Sequence, residues 1–222
     1  MVRIGNKHFA AIALFLLVFV WSCGSNPKQR NIAEAHLTMG IAHLAEGQES
    51  QALRSFLEAE QLYPHNERIH YFKGVIYANR GLFPEAKESL AEAIRINPRY
   101  SQALTFIGSL YIQEKNYDQA IVYLKKALEN PLYDSPAAAL YNLATAYWRQ
   151  GDKTKAIATA QKAVVVDPGS PLFPNVYLLL GDIYKDAGDY EKAQTHYEKT
   201  LALDSTNSAA LAKLAEIKQA RQ

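Results

Sequence analysis

The stretch that decides the fold, residues 67–100, reads ERIHYFKGVIYANRGLFPEAKESLAEAIRINPRY. Its first half places Gly74 three residues before Tyr77. Its second half places Ala86 twelve residues after that glycine and ends close to Pro98. A pattern of this length, when it recurs, indicates a solenoid, because stacked units bury a continuous core that one unit alone cannot bury.

The pattern recurs four more times along the chain. In these copies the small residue is Gly40, Gly108, Ala144 or Gly181, the ring residue is His43, Tyr111, Tyr147 or Tyr184, and the alanine is Ala52, Ala120, Ala156 or Ala193. Corresponding positions lie 34 residues apart in the first three copies, and then 36 and 37 residues apart. The extra residues fall in the proline-containing joints 130–136 and 168–174, which we expect to be loops or wider bends. Neutral insertions are the alternative.

These positions resemble the tetratricopeptide repeat over residues 33–203. The resemblance implies an all-α, right-handed superhelical solenoid within 31–222, with about five repeats near 33–66, 67–100, 101–134, 137–170 and 174–207. We predict first helices (helices A) near 33–46, 67–80, 101–114, 136–150 and 174–187, and second helices (helices B) near 50–63, 84–97, 117–130, 153–166 and 190–203. Glycines at Gly47, Gly81, Gly151 and Gly188 are expected in the A-to-B turns, where a left-handed backbone is common. Residues 208–222 are predicted to form a capping helix with Leu211, Leu214 and Ile217 on its buried face.

The N-terminal segment has the pattern of an export signal. Arg3 and Lys7 precede a run of 13 uncharged residues, 9–21, and Cys23 is the single cysteine of the chain. The run is shorter than the roughly 20 residues of a membrane-spanning helix and suits a signal h-region. Residues 20–23, Val-Trp-Ser-Cys, resemble the lipobox of bacterial lipoproteins.

That resemblance implies that residues 1–22 are a cleaved signal peptide and that Cys23 carries lipid. Gly24 after the cysteine implies an outer-membrane protein facing the periplasm of a Gram-negative bacterium. Residues 23–30 are then the lipidated N-terminus and a polar tether, whose last seven residues reach at most roughly 25 Å. The alternative is a free thiol at the end of an uncleaved signal anchor.

The charge balance argues against nucleic acid as a partner. Arg3 and Lys7 account for the net charge of +2, so the chain after the leader holds 22 basic and 22 acidic residues. Basic residues do not cluster with aromatic residues as a nucleic-acid footprint requires.

Candidate chemical sites are weak, and we expect neither an enzyme nor a cofactor. His36 and His43 occupy the ring positions of the first repeat, where packing is favoured over a metal pair. Asp182, Asp186 and Asp189 lack the glycine and terminal glutamate of a calcium loop, which favours a solvated turn. Assigning Cys23 to lipid leaves no cysteine nucleophile.

The family resemblance implies a concave groove lined by helices A, where extended or helical peptides bind. Carrying the family's groove positions onto this sequence gives Leu37, Ile41, Leu44, Tyr71, Val75, Ile112, Tyr141 and Trp148, together with Thr105, Ser109 and Thr145, while the fifth repeat contributes Asp182 and Lys185. Such a groove suits an apolar or amphipathic segment of a protein partner, with Tyr141 and Trp148 as anchors. The alternative for Trp148 is packing within its own repeat.

A lipoprotein signal followed by about five such repeats resembles the pilotin group of the type IV pilus system. The Leu132-Tyr133 insertion also resembles that group. The resemblance implies a protein-binding scaffold that assists assembly or localisation of the secretin, and the bound segment is expected to come from the secretin or from another envelope protein. The alternatives are a lipid-anchored scaffold for cell-wall enzymes or an export complex, and, if the leader is misread, a cytoplasmic co-chaperone.

Overall fold

A computed structural model describes residues 26–166 and 170–220, and within these ranges the chain forms eleven α-helices and no strand. Five helix pairs follow one another, and a single helix ends the series. The helices are α1 (Pro27–Ala45), α2 (Glu49–Leu62), α3 (Glu67–Asn79), α4 (Phe83–Ile96), α5 (Ser101–Gln113), α6 (Tyr117–Leu128), α7 (Pro136–Gln150), α8 (Lys153–Val166), α9 (Phe173–Asp186), α10 (Tyr190–Leu203) and α11 (Ser208–Ala220). The predicted all-α solenoid of five repeats is confirmed. None of the described helices is long and apolar enough to cross a membrane.

Helices A and B of the solenoid lie on different sides. Each helix A contacts its own helix B, and α7 also contacts the neighbouring helices A, α5 and α9. Helices A therefore line the inner, concave side, whereas helices B form the outer, convex side. Apolar residues buried between the pairs form a core that continues along the solenoid.

The small residue of helix A sets how closely each pair packs. A Cβ atom built on Gly108 would lie 2.7 Å from Cγ of Leu124, and one on Gly40 would lie 2.4 Å from Cε1 of Phe56. Both partners lie sixteen residues after the glycine. In the fourth repeat the small residue is Ala144 instead of glycine, and the residue sixteen positions later is Ala160 instead of a large side chain. The smaller residue on helix B thus compensates for the extra methyl group on helix A.

The A-to-B turns adopt the left-handed backbone predicted for them. Gly151 has φ of 97° and ends α7, and the three other predicted glycines also have positive φ. The third repeat places Lys115 in this turn with φ of 59°, so a residue with a side chain adopts the same conformation there.

The first helix starts earlier than the residue pattern predicts. The Asn26 side chain accepts a hydrogen bond of 3.0 Å from the Lys28 backbone N–H, and Pro27 opens α1. An asparagine cap followed by proline is a strong helix start, because proline has a fixed φ and no N–H to satisfy. The predicted tether is therefore wrong over 27–30, and Cys23 and Gly24 lie outside the described residues.

The last helix packs in the place of a helix A, with a different buried face from the one predicted. Ala210 and Ile217 are almost completely buried and Leu214 is half-buried, whereas Leu211 is 51% exposed. Positions 210, 214 and 217 share one face of a helix, and position 211 lies about 100° away. The assignment of Leu211 to the buried face is therefore wrong.

We predict that Gly108→Ala destabilises the protein by about 1–3 kcal/mol, because the new methyl group would overlap Leu124. Helix propensity alone would change stability in the opposite direction, by about 1 kcal/mol in favour of alanine. Urea unfolding measures the change in the free energy of unfolding, and its sign shows whether packing or helix propensity dominates. A more stable Gly108→Ala protein would contradict the close-packing argument.

Candidate functional site: the concave surface

Most, but not all, of the residues predicted to line the concave groove have partly exposed side chains. Leu37 is completely buried in the core of the first repeat, so its assignment to the groove is wrong. Its helix face is covered because the next helix A, α3, packs onto the first repeat through Ile69 and Ile76. Thr105 is also buried, so its assignment to the groove is wrong as well. The other eleven predicted groove residues are half-buried, and their role in binding stays a prediction: Ile41, Leu44, Tyr71, Val75, Ser109, Ile112, Tyr141, Thr145, Trp148, Asp182 and Lys185.

A cluster of aromatic rings forms the middle of this surface. Tyr71 on α3 contacts Tyr100 and Phe106 edge to face, with ring centroids 5.5 Å and 6.3 Å apart. Tyr133, from the loop between α6 and α7, places its hydroxyl 3.0 Å from Oγ1 of Thr105 on α5. Thr105 is thereby covered, and Tyr133 takes its place at the surface.

The tyrosine hydroxyls of this surface are protonated at neutral pH, and burial strengthens that preference. Burial raises the pKa of Tyr71, of Tyr133 and of Tyr141 above that of free tyrosine. Each ring therefore presents an apolar face together with a hydroxyl that donates or accepts a hydrogen bond. Rings of this kind suit a partner segment with apolar side chains and exposed backbone groups.

The loop that carries Tyr133 is held by several hydrogen bonds. The Asn130 side-chain amide donates to the Arg99 carbonyl oxygen and to Oγ of Ser101, at 3.2 Å each. Gln102 on α5 also contacts Asp134, with 3.4 Å between Nε2 and Oδ1. The two-residue insertion after the third repeat is thus an ordered part of the groove rim, with Leu132 exposed at its tip.

The C-terminal end of the groove is occupied by contacts between its own side chains. Trp148 donates from Nε1 to Asp186 Oδ2 at 2.8 Å, so it bridges two repeats and does not pack only within its own. Asp182 lies 2.6 Å from Nζ of Lys213 on α11, and Lys185 pairs with Glu216 on the same helix. These ion pairs connect α9 to α11 and take up the charges that the fifth repeat contributes to the groove.

The residues considered for metal binding have other partners. Asp182 accepts a hydrogen bond of 2.8 Å from the Tyr197 hydroxyl, and Asp189 caps α10 by accepting one from the Lys192 backbone. His36 Nδ1 lies 3.0 Å from a Glu58 carboxylate oxygen, and His43 contacts Gln48. Within the described ranges, no group of three or more His, Cys, Asp or Glu side chains is arranged to hold a metal ion.

Three residues of the aromatic cluster were not among the predicted groove residues: Tyr100, Phe106 and Tyr133. Phe106 lies on α5, next to a predicted groove position, whereas Tyr100 and Tyr133 lie in B-to-A joints, outside the helix A positions that the resemblance transfers. A signal for Tyr100 and Tyr133 exists in the sequence, since an aromatic residue recurs at or beside these joints, at Tyr63, Tyr100, Tyr133 and Phe173.

Comparison with known proteins identifies the family. Sequence models of the tetratricopeptide repeat match residues 37–101, 99–168 and 136–206. These matches span most of the chain, which therefore belongs to the tetratricopeptide-repeat family. Proteins of this family bind protein partners, and the repeat is typically a non-enzymatic interaction fold.

Individual relatives differ in how much of their own length this chain matches. Superkiller complex protein 3 of Mus musculus is 27% identical over 192 residues, which cover 83% of this chain and 12% of that protein. The chain thus spans about an eighth of that relative's length. Type IV pilus assembly protein PilF of Pseudomonas aeruginosa is 22% identical over 198 residues, which cover 85% of this chain and 77% of PilF.

Two of the similar solved structures share the fold over most of this chain. The structure of Pseudomonas aeruginosa PilF superposes with a TM-score of 0.77 at 20% identity and covers 87% of each chain. That of PilW, described as a widely conserved type IV pilus biogenesis factor, has a TM-score of 0.74 at 20% identity and covers 85% of this chain and 91% of PilW. At such identities the likeness shows the fold alone.

We predict that Leu37→Ala destabilises the protein by about 2–5 kcal/mol, because it removes a completely buried side chain and leaves a cavity. Leu132→Ala is the matched control: Leu132 is 88% exposed, so its truncation should change stability by no more than about 0.5 kcal/mol. Urea unfolding of both variants measures the difference. Equal stability of the two variants would contradict the core position of Leu37 and support its predicted position in the groove.

Proposed function

We propose that this chain is an outer-membrane lipoprotein that holds a protein segment in its concave groove and assists assembly or localisation of the secretin in type IV pilus biogenesis. The observation that carries the proposal is the extent of the match to PilF, which covers most of both chains. The match to the mouse superkiller protein covers only a small part of that longer protein and supports the repeat but not a common role.

The groove favours an apolar or amphipathic partner segment. Its first four repeats contribute half-buried aliphatic and aromatic side chains, among them Ile41, Val75 and Tyr141. The two charged groove residues of the fifth repeat, Asp182 and Lys185, form ion pairs with α11, so their charges are already neutralised within the protein. A few desolvated aromatic side chains can then carry most of the affinity for such a segment.

The membrane attachment rests on the sequence around Cys23. Only Gly24 and Ser25 separate this cysteine from Asn26, the cap of α1. Lipid on Cys23 would therefore hold the first repeat directly at the bilayer surface. Acyl chains contribute about 0.8 kcal/mol per buried CH₂, and stable attachment needs more than one chain.

Metabolic labelling with palmitate tests the attachment. We expect label on the wild-type protein and none on Cys23→Ala, because the lipid would be attached through the cysteine. Immunoblots confirm that both proteins are present in equal amounts. Wild-type protein without label would contradict a lipoprotein.

Complementation of a deletion strain tests the secretin role and the groove together. We expect secretin multimers at the outer membrane to be lost on deletion and restored by wild type and by Ile32→Glu, but not by Ile41→Glu. Ile32 and Ile41 lie nine residues apart on α1, so they point to opposite faces of that helix. Ile32 is 40% exposed and serves as the matched control.

The outcomes of this experiment separate the two claims. Normal multimers in the deletion strain would contradict the secretin role and favour another envelope complex, such as one that contains cell-wall enzymes. Restoration by Ile41→Glu would contradict the groove at the first repeat while leaving the secretin role intact. Circular dichroism of the purified variants checks that both are folded.

A further inference from the structure

The convex surface changes the sign of its charge along the solenoid. The helices B of the first two repeats, α2 and α4, each carry three glutamates against one and two basic residues. In the next two repeats, α6 has two lysines and one aspartate, and α8 has three lysines and no acidic residue. The outer side is therefore acidic over its first two helices and basic over the following two.

One position of the repeat shows the reversal directly. Corresponding sites on the five helices B are occupied by Glu58, Glu92, Lys126, Lys162 and Lys199. All five lie on the outer side and are exposed or half-buried. The reversal falls between the second and third helices B, close to the middle of the described solenoid.

The acidic half of the convex surface contains a local cleft. A cleft of about 700 Å³ between α2, α3 and α4 is bordered by four glutamates, Glu60, Glu85, Glu88 and Glu92. Two of them are neutralised within the protein, since Glu60 pairs with Lys73 and Glu92 with Arg95. The side chains of Glu85 and Glu88 are exposed and have no ion pair or hydrogen bond in the part of the chain that the structure describes.

The basic half is a ridge with unpaired charges and exposed apolar side chains. Lys126 on α6 and Lys162 on α8 are exposed, and within the described ranges their side chains form no ion pair. Near them, Val122 is 58% exposed and Val165 is 74% exposed. The ridge therefore offers positive charge together with apolar surface that contact with another molecule would cover.

We propose that the convex face binds a second copy of this chain in antiparallel orientation, with the basic ridge of α6 and α8 against the acidic cleft of the partner. A two-fold axis near the point of charge reversal would form this contact twice, because an isologous interface must be self-complementary. A uniformly anionic lipid surface would attract one half of the face and repel the other. The proposal is independent of the proposed function, since it involves neither Cys23 nor the groove.

The contact is expected to depend on salt. Exposed ion pairs contribute little each, so several must act together with the two valines that the contact would cover. Raising the salt from about 0.1 M to about 1 M shortens the Debye length from about 10 Å to about 3 Å and should weaken the association.

Charge reversal on two differently tagged full-length copies tests the proposal. In the first variant, Lys126→Glu and Lys162→Glu remove the net positive charge of the basic half and place acidic side chains at the two unpaired lysine positions. In the second variant, Glu85→Lys and Glu88→Lys make both halves basic. The copies are co-expressed, solubilised in a non-ionic detergent and captured through one tag, and the second tag is then quantified by immunoblot.

We expect the wild-type protein to capture a second wild-type copy. Each variant should capture a second copy of itself in an amount at least about tenfold lower. The two variants should capture each other at the wild-type level, and a chain that carries all four substitutions should again capture itself. Failure of the mixed pair to recover would overturn the proposal, as would absence of wild-type capture or undiminished self-capture by either variant. Unchanged thermal melting of the variants excludes unfolding as the cause of a loss.

Discussion

The close contact between the two helices of each repeat is the constraint on which the rest of the structure depends. A large side chain of helix B, such as Phe56 or Tyr197, lies directly against the glycine of helix A, where even a methyl group would not fit. This contact fixes the distance and rotation of the pair, and each pair then presents a defined surface to the next. The fourth repeat keeps the contact with two alanines, Ala144 and Ala160, so the total volume matters more than the identity of the residues.

The second repeat has polar side chains at two positions that are apolar in the following repeats. His70 and Lys73 occupy positions that the next two repeats fill with buried Leu104 and Ile107, and with Leu140 and Leu143. His70 Nε2 donates to the Pro64 carbonyl oxygen at 2.7 Å, and Lys73 lies 2.5 Å from a Glu60 carboxylate oxygen. Buried polar groups are tolerated here because each has a partner in the preceding repeat. The same contacts form one wall of the acidic cleft on the convex side.

The two sides of the solenoid then have different chemistry for a simple reason. Helices A of neighbouring repeats touch, so the concave side is a continuous surface on which aromatic residues from helices and joints come together. Helices B diverge on the outer side, leaving clefts between ridges, and long charged side chains occupy those ridges. The curvature of the solenoid thus accounts for both the apolar groove on its inner side and the charged surface on its outer side.

The sequence by itself determined the repeat, the helix boundaries within a few residues and the left-handed turns, because these depend on local spacing, on glycine and on capping. Tertiary structure alone decided which side of a helix is covered. Leu37 belongs to the core because α3 packs over it, and Leu211 is exposed because α11 presents Ala210 and Ile217 to its neighbours. Periodicity identifies an apolar face, but the choice between core and groove depends on the next helix in the stack. The engagement of Asp182 and Lys185 by α11 depends on contacts between residues about thirty positions apart, which no local pattern contains.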